Sequence, residues 1–233
     1  MNQSTTQATS KEPSDLRAIF FYGTIEDNWL GHIMYEIFKD QIYRPFLPLQ
    51  KEGTVALDIG ANIGLVSIYL SKYFERIIAL EPSFEHFDAL NRNLQVNKIE
   101  NVKPIKKALF IKEGDFPFGG PKDNRTMRSL HAATWQGGKH DEMVQTITLD
   151  KLFEEEKIEH VDLMKIDCEG SEVEIISGIG FKKVANKIDT IICEIHSWSG
   201  RHRNQINDAF KSNGFDLQQI PNDADLIVAR RIK

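Results

Sequence analysis

Short runs of consecutive apolar residues alternate along the chain with segments in which apolar residues recur every three or four positions. The runs are typical of buried strands, and the recurring positions, such as Ile63, Val66 and Leu70, are typical of amphipathic helices. The predicted strands are Thr54–Leu57, Arg76–Leu80, Val102–Phe110, Val144–Thr148, Val161–Ile166, Ile188–Ile195, Phe215–Ile220 and Ala224–Ala229. Such alternation predicts an α/β fold with a mostly parallel sheet, helices on both faces and one antiparallel strand at the end.

Two regions depart from this alternation. Residues 1–15 are rich in Ser, Thr and Gln and are predicted to form a disordered tail. Apolar residues that include Trp29, Ile33 and Ile37 predict a helix over Trp29–Asp40, so 16–53 is interpreted as a helical cap on a main domain over 54–233. Residues 112–143 lack periodicity and predict a long loop that acts as a lid or contacts a ligand.

The composition excludes some classes of protein but does not identify a function. A chain of 233 residues with 41% apolar and 27% charged residues suits one folded domain and excludes a wholly disordered chain. The net charge of −5 gives no electrostatic footprint for nucleic acid, so no nucleic-acid partner is expected. No apolar stretch approaches the ~18 residues of a membrane span. Cys168 and Cys193 form no cysteine framework, which predicts a reduced, cytoplasmic setting.

A glycine-bearing turn follows the first strand, where open α/β sheets bind ligands. Gly60 allows a sharp turn, Asn62 tolerates left-handed backbone, and Gly64 allows close packing of the next helix. The second glycine of the dinucleotide fingerprint is missing, and Asp58 would repel a pyrophosphate but attract an amine. Glu81, 23 residues after Asp58, suits the hydroxyls of a ribose. An amine and a ribose together indicate S-adenosylmethionine; the alternative is a glycine turn and a capping acid without a ligand.

Acidic residues and a histidine follow two later strands. Asp167 ends a buried strand, so its carboxylate must face a cleft or be paired. Glu169 and Glu172 begin a helix, where acids also favour the helix dipole. Glu194 and His196 share one face of the next strand, and His196 is either a general base or a structural histidine. Asp167, Glu194 and His196 carry atoms that can bind a metal ion, but we expect none.

Four sequence strings together resemble the FkbM family of S-adenosylmethionine-dependent methyltransferases. They are LDIGANIG at Leu57–Gly64, ALEP at Ala79–Pro82, TLDKL at Thr148–Leu152 and DLMKIDCEGSEVEIISG at Asp162–Gly178. The resemblance implies a class I, Rossmann-like methyltransferase fold with seven strands in the order 3-2-1-4-5-7-6 and the last strand antiparallel. It also implies methyl transfer to a hydroxyl of a sugar, a glycan or a related small metabolite.

The resemblance also assigns roles to particular residues of this chain. One group would hold the methionine part of S-adenosylmethionine, namely Asp58, Gly60, Asn62 and Gly64. Glu81 would hold the ribose, and Ala108 would lie near the adenine. Asp167 and Glu169 would line the reaction centre, with Asp167 also contacting the cofactor and His196 as the candidate base.

The acceptor would be contacted from strand ends and loops near the cleft, the loop over 112–143 included. The candidate contacts are Arg128, Ser129, Trp135, Glu194, His196, Trp198 and Arg201. Arginines suit a carboxylated or phosphorylated acceptor, and tryptophans suit stacking on a sugar ring, although solvated loop positions are the plain alternative. Ser129, with Leu130, matches a Ser-Leu stretch of the family.

Two other functional classes stay open at this point. One is a methyltransferase fold that only binds its ligand and lacks catalytic activity. The other is a nicotinamide-dependent oxidoreductase, which Asp58 and the missing glycine disfavour. A nucleic-acid methyltransferase lacks support, because no Asn/Asp-Pro-Pro-Tyr/Phe string follows the fourth strand.

Overall fold

The computed structural model describes residues 34–40, 42–121, 127–131, 138–196, 203–219 and 225–232. These residues form ten strands in two sheets. In chain order the strands are β1 Val55–Ile59, β2 Arg76–Leu80, β3 Val102–Ile105, β4 Ala108–Leu109, β5 Gly114–Gly120, β6 Lys139–Ile147, β7 Val161–Ile166, β8 Ile188–Glu194, β9 Phe215–Gln219 and β10 Leu226–Arg231.

The main sheet has seven strands in the order β3-β2-β1-β7-β8-β10-β9. Strand β10 runs antiparallel to both of its neighbours, while the pairs among β3, β2, β1, β7 and β8 are parallel. Counted within this sheet, the order is the predicted 3-2-1-4-5-7-6 with a reversed last strand. The predicted α/β, class I methyltransferase fold is therefore confirmed.

Helices cover both faces of this sheet. They are α1 Leu65–Leu70, α2 Phe84–Val96, α3 Leu149–Glu155, α4 Glu172–Ser177, α5 Ile179–Val184 and α6 Arg203–Ser212, with a 3-10 turn at Ala185–Lys187. Neighbouring residues of β1 show why the strands are apolar throughout. Ala56 packs into one core with Tyr69 and Leu90, whereas Leu57 packs into the other core with Phe181. A strand buried on both faces has no polar side, which explains the continuous apolar runs in the sequence.

The N-terminal part begins, as far as it is described, with a π-helical turn at Tyr35–Asp40 and a 3-10 turn at Arg44–Phe46. Ile37 and Phe38 are buried in the same core as Tyr69 of α1, so this segment packs against the main sheet's helical layer. Helical geometry thus occurs in the last part of the helix predicted over Trp29–Asp40. The tail, residues 16–33 and Trp29 lie outside the described residues, and the domain boundary at residue 53 stays a prediction.

The sequence prediction fails between the third and fourth strands of the main sheet. The single strand predicted over Val102–Phe110 is divided into β3 and β4, and the loop predicted over 112–143 is wrong where β5 and β6 lie. Strand β6 pairs with β4 and with β5 in a separate three-stranded sheet. Strand β5 contains Pro117 and three glycines, which strands generally lack. It forms because β6 supplies an antiparallel partner and Phe118 is buried against Ala108 and Val144.

Within the described part of the chain, no helix is long and apolar enough to cross a membrane.

Candidate functional site

A cleft opens at the carboxyl ends of β1, β2 and β7, with about 560 Å³ of space that is partly open to solvent. Seven candidate site residues from the sequence line it, namely Gly60, Asn62, Glu81, Ala108, Arg128, Asp167 and Glu169. The cleft lies where β1 meets β7, which is the point where the strand order reverses and where such sheets bind ligands.

The glycine turn is shaped by close approaches of the backbone. Gly60 has a φ of 75°, and its N–H donates to the carbonyl of Leu80, which draws the turn toward the end of β2. A Cβ at Gly60 would collide with the backbone carbonyl of Asp167. Gly64 has a φ of 90°, and a Cβ there would collide with Leu90 of α2. Gly60 therefore allows the turn to lie directly against the backbone of Asp167, whereas Gly64 allows α2 to pack closely against the turn.

Asn62 and Glu81 form the next part of the cleft wall. Asn62 has a left-handed φ of 50°, and its backbone N–H donates to Oε2 of Glu81 over 2.8 Å. The N–H of Ser83 donates to Oε1 of Glu81 over 2.9 Å. These bonds fix the carboxylate, and each of its oxygens keeps a second lone pair for a ligand hydroxyl. Among the described residues, the buried Oδ1 of Asn62 has no hydrogen-bond partner, as expected for an atom that meets a ligand.

Asp58 does not reach the cleft, which differs from the prediction that its carboxylate meets an amine there. Its side chain is fully buried, and the hydroxyl of Ser67 donates to its Oδ2 over 2.6 Å. The Nζ atom of Lys165 lies 3.5 Å from Oδ1 of Asp58 and 3.2 Å from Oδ2 of Asp167. Lys165 also donates to the carbonyl of Gly60 over 2.7 Å. Asp58 therefore contributes to the cleft indirectly, by holding Lys165 against Gly60 and Asp167.

Lys165 is a buried cation shared between two acids. Burial opposes its charged form, but Asp167 and Asp58 outweigh burial and raise the pKa of Lys165 well above its usual value. Lys165 thus stays protonated and joins the end of β1 to the loop after β7.

The three predicted catalytic residues meet at the other end of the cleft. The Nε2 atom of His196 lies 3.4 Å from Oε2 of Glu169 and 3.7 Å from Oδ1 of Asp167. Oε1 of Glu194 lies 3.8 Å from the same nitrogen. The Nδ1 atom of His196 lies 3.0 Å from Oε1 of Glu172. One imidazole ring is therefore surrounded by four carboxylates.

These neighbours change the protonation of the site. Burial raises the pKa of Glu169 to about 8, with Asp167 and Glu194 adding to the rise and His196 opposing it. For His196, burial opposes the charged form, but the bond to Glu172 and the charges of Glu169 and Asp167 raise its pKa to about 10. A ring with this pKa carries its proton at neutral pH and does not accept another. The role of His196 as a base stays a prediction, and Asp167 is a neighbouring carboxylate that lines the cleft.

A metal ion is a separate possibility at this cluster. Asp167, Glu169 and His196 each offer one ligand atom, and these atoms lie within 4.8 Å of one another. Oxygen and nitrogen donors of this kind suit divalent cations. Protonated His196 already places a positive charge among the carboxylates, and a cation would have to displace the proton from Nε2. That the protein requires no metal ion stays a prediction.

The acceptor residues suggested by the sequence have mixed positions. Arg128 lines the cleft, but its guanidinium lies 2.6 Å from Asp141 and 3.3 Å from Glu142, so neighbouring acids already hold it. Ser129 is fully buried, and its hydroxyl donates to the backbone carbonyl of Glu169 over 2.6 Å. Ser129 thus supports the reaction centre from within the protein and presents no surface to an acceptor. Three other candidates lie outside the described residues, namely Trp135, Trp198 and Arg201.

Sequence reasoning missed two side chains beside the cleft. Ser171 is buried, lines the cleft, and has a hydroxyl with no hydrogen-bond partner within the protein. His86 also lines the cleft and lies 3.7 Å from Glu81. Ser171 lies two residues after Glu169, and this closeness to a predicted site residue is a signal that could have identified it as a cleft residue. His86 gave no such signal, because a histidine on a helix face is usually structural.

The sheet order, the glycine turn with Glu81, and the acidic cluster after β7 together define a class I methyltransferase, whose cofactor is S-adenosylmethionine. Sequence comparison is more specific. The chain belongs to the FkbM methyltransferase family, because the sequence model of the methyltransferase FkbM domain matches residues 58–217.

Several proteins similar to this chain are described as methyltransferases. Methyltransferase sdnD of Sordaria araneosa is 28% identical over an alignment that covers 85% of this chain and 89% of that protein. Hexuronic acid methyltransferase AglP of Haloferax volcanii is 25% identical, covering 80% of this chain and 73% of that protein. Among solved structures, a precorrin-6y C5,15-methyltransferase from Geobacter metallireducens GS-15 superposes with a TM-score of 0.50 at 16% identity. That superposition covers 82% of this chain and 87% of the other, and it supports the fold alone.

Proposed function

We propose that the protein transfers a methyl group from S-adenosylmethionine to a hydroxyl of a sugar, a glycan or a related small metabolite. The observation that carries the proposal is a single cleft with Glu81 at one end and Asp167 and Glu169 at the other. The first carboxylate suits a ribose, and the second pair suits a reacting hydroxyl. The printed name of the relative from Haloferax volcanii, which refers to a hexuronic acid, is in keeping with a sugar-derived acceptor.

The residues of the cleft fit the cofactor. Four buried polar atoms of cleft-lining residues have no hydrogen-bond partner among the described residues, namely Oδ1 of Asn62, Nε of Arg128, Oε2 of Glu169 and the hydroxyl of Ser171. Gly60 lets the turn after β1 lie against the backbone of Asp167 more closely than any residue with a Cβ could, and Ala108 lines the cleft where an adenine is expected. These features suit the polar and flat parts of an adenosyl compound.

The reaction needs positioning and one proton acceptor. S-adenosylmethionine supplies a methyl group bound to a positively charged sulfur. The cleft holds the acceptor oxygen in line with that bond, and such positioning contributes up to ~7–11 kcal/mol. Asp167 accepts the proton that the hydroxyl loses as its oxygen bonds to the methyl carbon, which adds about 10²–10⁴-fold. Glu169 and His196 fix the position of Asp167 and of the acceptor hydroxyl.

The charges around the reaction centre favour an acceptor rich in hydroxyls. Asp167, Glu169 and Glu194 present carboxyl groups beside one another, and carboxylates accept hydrogen bonds from hydroxyls. A small-molecule or glycan acceptor fits this proposal, with no nucleic-acid partner. The free thiols of Cys168 and Cys193 agree with a reduced, cytoplasmic setting.

Calorimetric titration with S-adenosylmethionine, S-adenosylhomocysteine and NAD⁺ tests the cofactor part of the proposal. We expect micromolar binding of both adenosyl compounds and no binding of NAD⁺. Glu81→Ala should weaken binding by about 10- to 100-fold, since a hydrogen bond to a charged group contributes about 1.5–3 kcal/mol. Glu100→Ala, which changes an exposed acid away from the cleft, is the matched control and should bind normally. Absence of adenosyl binding would contradict the proposal.

Transfer of a labelled methyl group to a panel of glycosides and uronic acids tests the acceptor part. Mild base then separates the two possible products, because a methyl ester is hydrolysed and a methyl ether is not. We expect a base-stable product. A product that releases its label in base would show transfer to a carboxyl group and would contradict transfer to a hydroxyl.

A further inference from the structure

One oxygen of Glu172 joins three separate groups at the reaction centre. Oε1 accepts hydrogen bonds from the backbone N–H of Cys168 over 3.0 Å and of Gly170 over 3.1 Å. The same oxygen lies 3.0 Å from Nδ1 of His196. Glu172 is 1% exposed, so these contacts are shielded from water. The carboxylate therefore links the loop after β7 to the segment that follows β8.

This link determines which way the ring of His196 faces. With Nδ1 held by Glu172, the other ring nitrogen is turned toward Asp167, Glu169 and Glu194, at 3.4–3.8 Å. These four acids are the charged groups that contact His196 from the loop after β7, from helix α4 and from β8 in the described structure. Glu172 is the one among them that meets the Nδ1 side of the ring.

The loop has a backbone shape that depends on the same contact. Glu169 has a left-handed φ of 51°, which is uncommon for a residue with a side chain. This turn directs the N–H groups on either side of Glu169 to one carboxylate oxygen. Burying such an acid is costly unless its oxygens are bonded, and the three contacts supply that compensation. A role limited to the dipole of helix α4 would require none of these contacts.

We propose that Glu172 is a positioning residue that sets the orientation of His196 and thereby arranges Asp167 and Glu169 for methyl transfer. The inference rests on the proposed function, because it concerns the same reaction centre. It assigns Glu172 no contact with the cofactor or the acceptor.

Nuclear magnetic resonance of protein labelled with ¹⁵N-histidine tests this role without a known acceptor. The wild type is compared with Glu172→Gln, which keeps an oxygen for the two N–H groups but removes the charge. The His196 signals are assigned by their loss in His196→Asn, and EDTA excludes bound metal ions. We expect His196 to titrate near pH 10 in the wild type. In Glu172→Gln its proton affinity should fall by about tenfold or more, which is one pKa unit.

Glu174→Gln is the matched control, because Glu174 lies on the same helix and pairs with another histidine, His131, over 3.4 Å. This variant should leave the titration of His196 unchanged. An unchanged titration of His196 in Glu172→Gln, or an equal shift in both variants, would overturn the inference. If Glu172→Gln does not fold, the inference is tested on the wild-type protein alone. A slowly exchanging Nδ1–H signal of His196 is then expected, and its absence overturns the inference.

Binding of S-adenosylmethionine separates this inference from the proposed function. Glu172→Gln should bind it within about threefold of the wild type, because a change this small corresponds to less than one hydrogen bond. Loss of binding by the wild type itself would refute the proposed function. Normal binding together with an unshifted His196 would refute the role of Glu172 alone.

Discussion

Replacing Lys165 by methionine should remove the cation that Asp58 and Asp167 share. Lys165 lies between Asp58 and Asp167 and donates to the carbonyl of Gly60. Methionine has a similar length and fills most of the same space without charge. The substitution therefore isolates the contribution of the ammonium group from that of packing.

The size of the effect follows from the burial of each partner. Asp58 is fully buried, and its Oδ1 has no hydrogen-bond partner in the described part of the chain, so loss of Lys165 leaves an uncompensated charge there. Breaking a buried pair in this way costs about 3–5 kcal/mol. Asp167 is 28% exposed and can be solvated, so its share is small. Domains of this kind unfold with about 5–15 kcal/mol, and the variant therefore loses a large fraction of its stability.

Urea and thermal unfolding followed by circular dichroism measure this loss. The midpoint temperature of Lys165→Met should fall by about 6–20 °C, at about 2–4 °C per kcal/mol for a chain of this length. Lys103→Met is the matched control, because Lys103 lies only 2.8 Å from Glu156 but is 57% exposed. That exposed pair is expected to contribute about 0–1 kcal/mol. Adding Asp58→Asn to Lys165→Met should restore most of the stability. Equal losses in the two lysine variants would refute the argument from burial.

Two further predictions concern the reaction centre. His196→Ala should lower turnover by about 10²-fold or more, because Asp167 and Glu169 lose the ring that holds them in position. S-adenosylmethionine affinity, measured by calorimetry, should stay within a few-fold, since the cleft-lining groups are Asp167 and Glu169. Unchanged turnover would remove His196 from the chemistry. Treatment with EDTA should change neither turnover nor cofactor affinity, because protonated His196 already supplies the positive charge among the carboxylates. A loss of turnover that Mn²⁺ or Mg²⁺ restores would contradict this expectation.

The main sheet could be predicted from the sequence because its signals are local. Runs such as Ile77–Leu80 are apolar at every position, and a strand buried on both faces requires that pattern. Gly60 and Glu81 were recognised as cleft residues because each directly follows or ends a strand. Position at a strand end is readable from the sequence once the strand itself is recognised.

The remaining features depend on contacts between distant segments. Strand β5 has no strand-like composition and exists because β6 pairs with it. The sequence places Asp58 at the end of the first strand but does not show that its carboxylate is buried beside Lys165, 107 residues later. Glu172 was interpreted as a helix-dipole acid, since the approach of His196 comes from another strand.

The pairing of β1 with β7 has a consequence for the protein during its synthesis. The contact between Lys165 and Gly60 joins residues that are 105 positions apart. At about 5–20 residues per second, a ribosome needs about 5–20 s to add that length. During this interval β1 has emerged with one edge unpaired, and exposed apolar edges promote aggregation. Slow elongation or low temperature should therefore lower the yield of folded protein more than a loss of equilibrium stability would suggest.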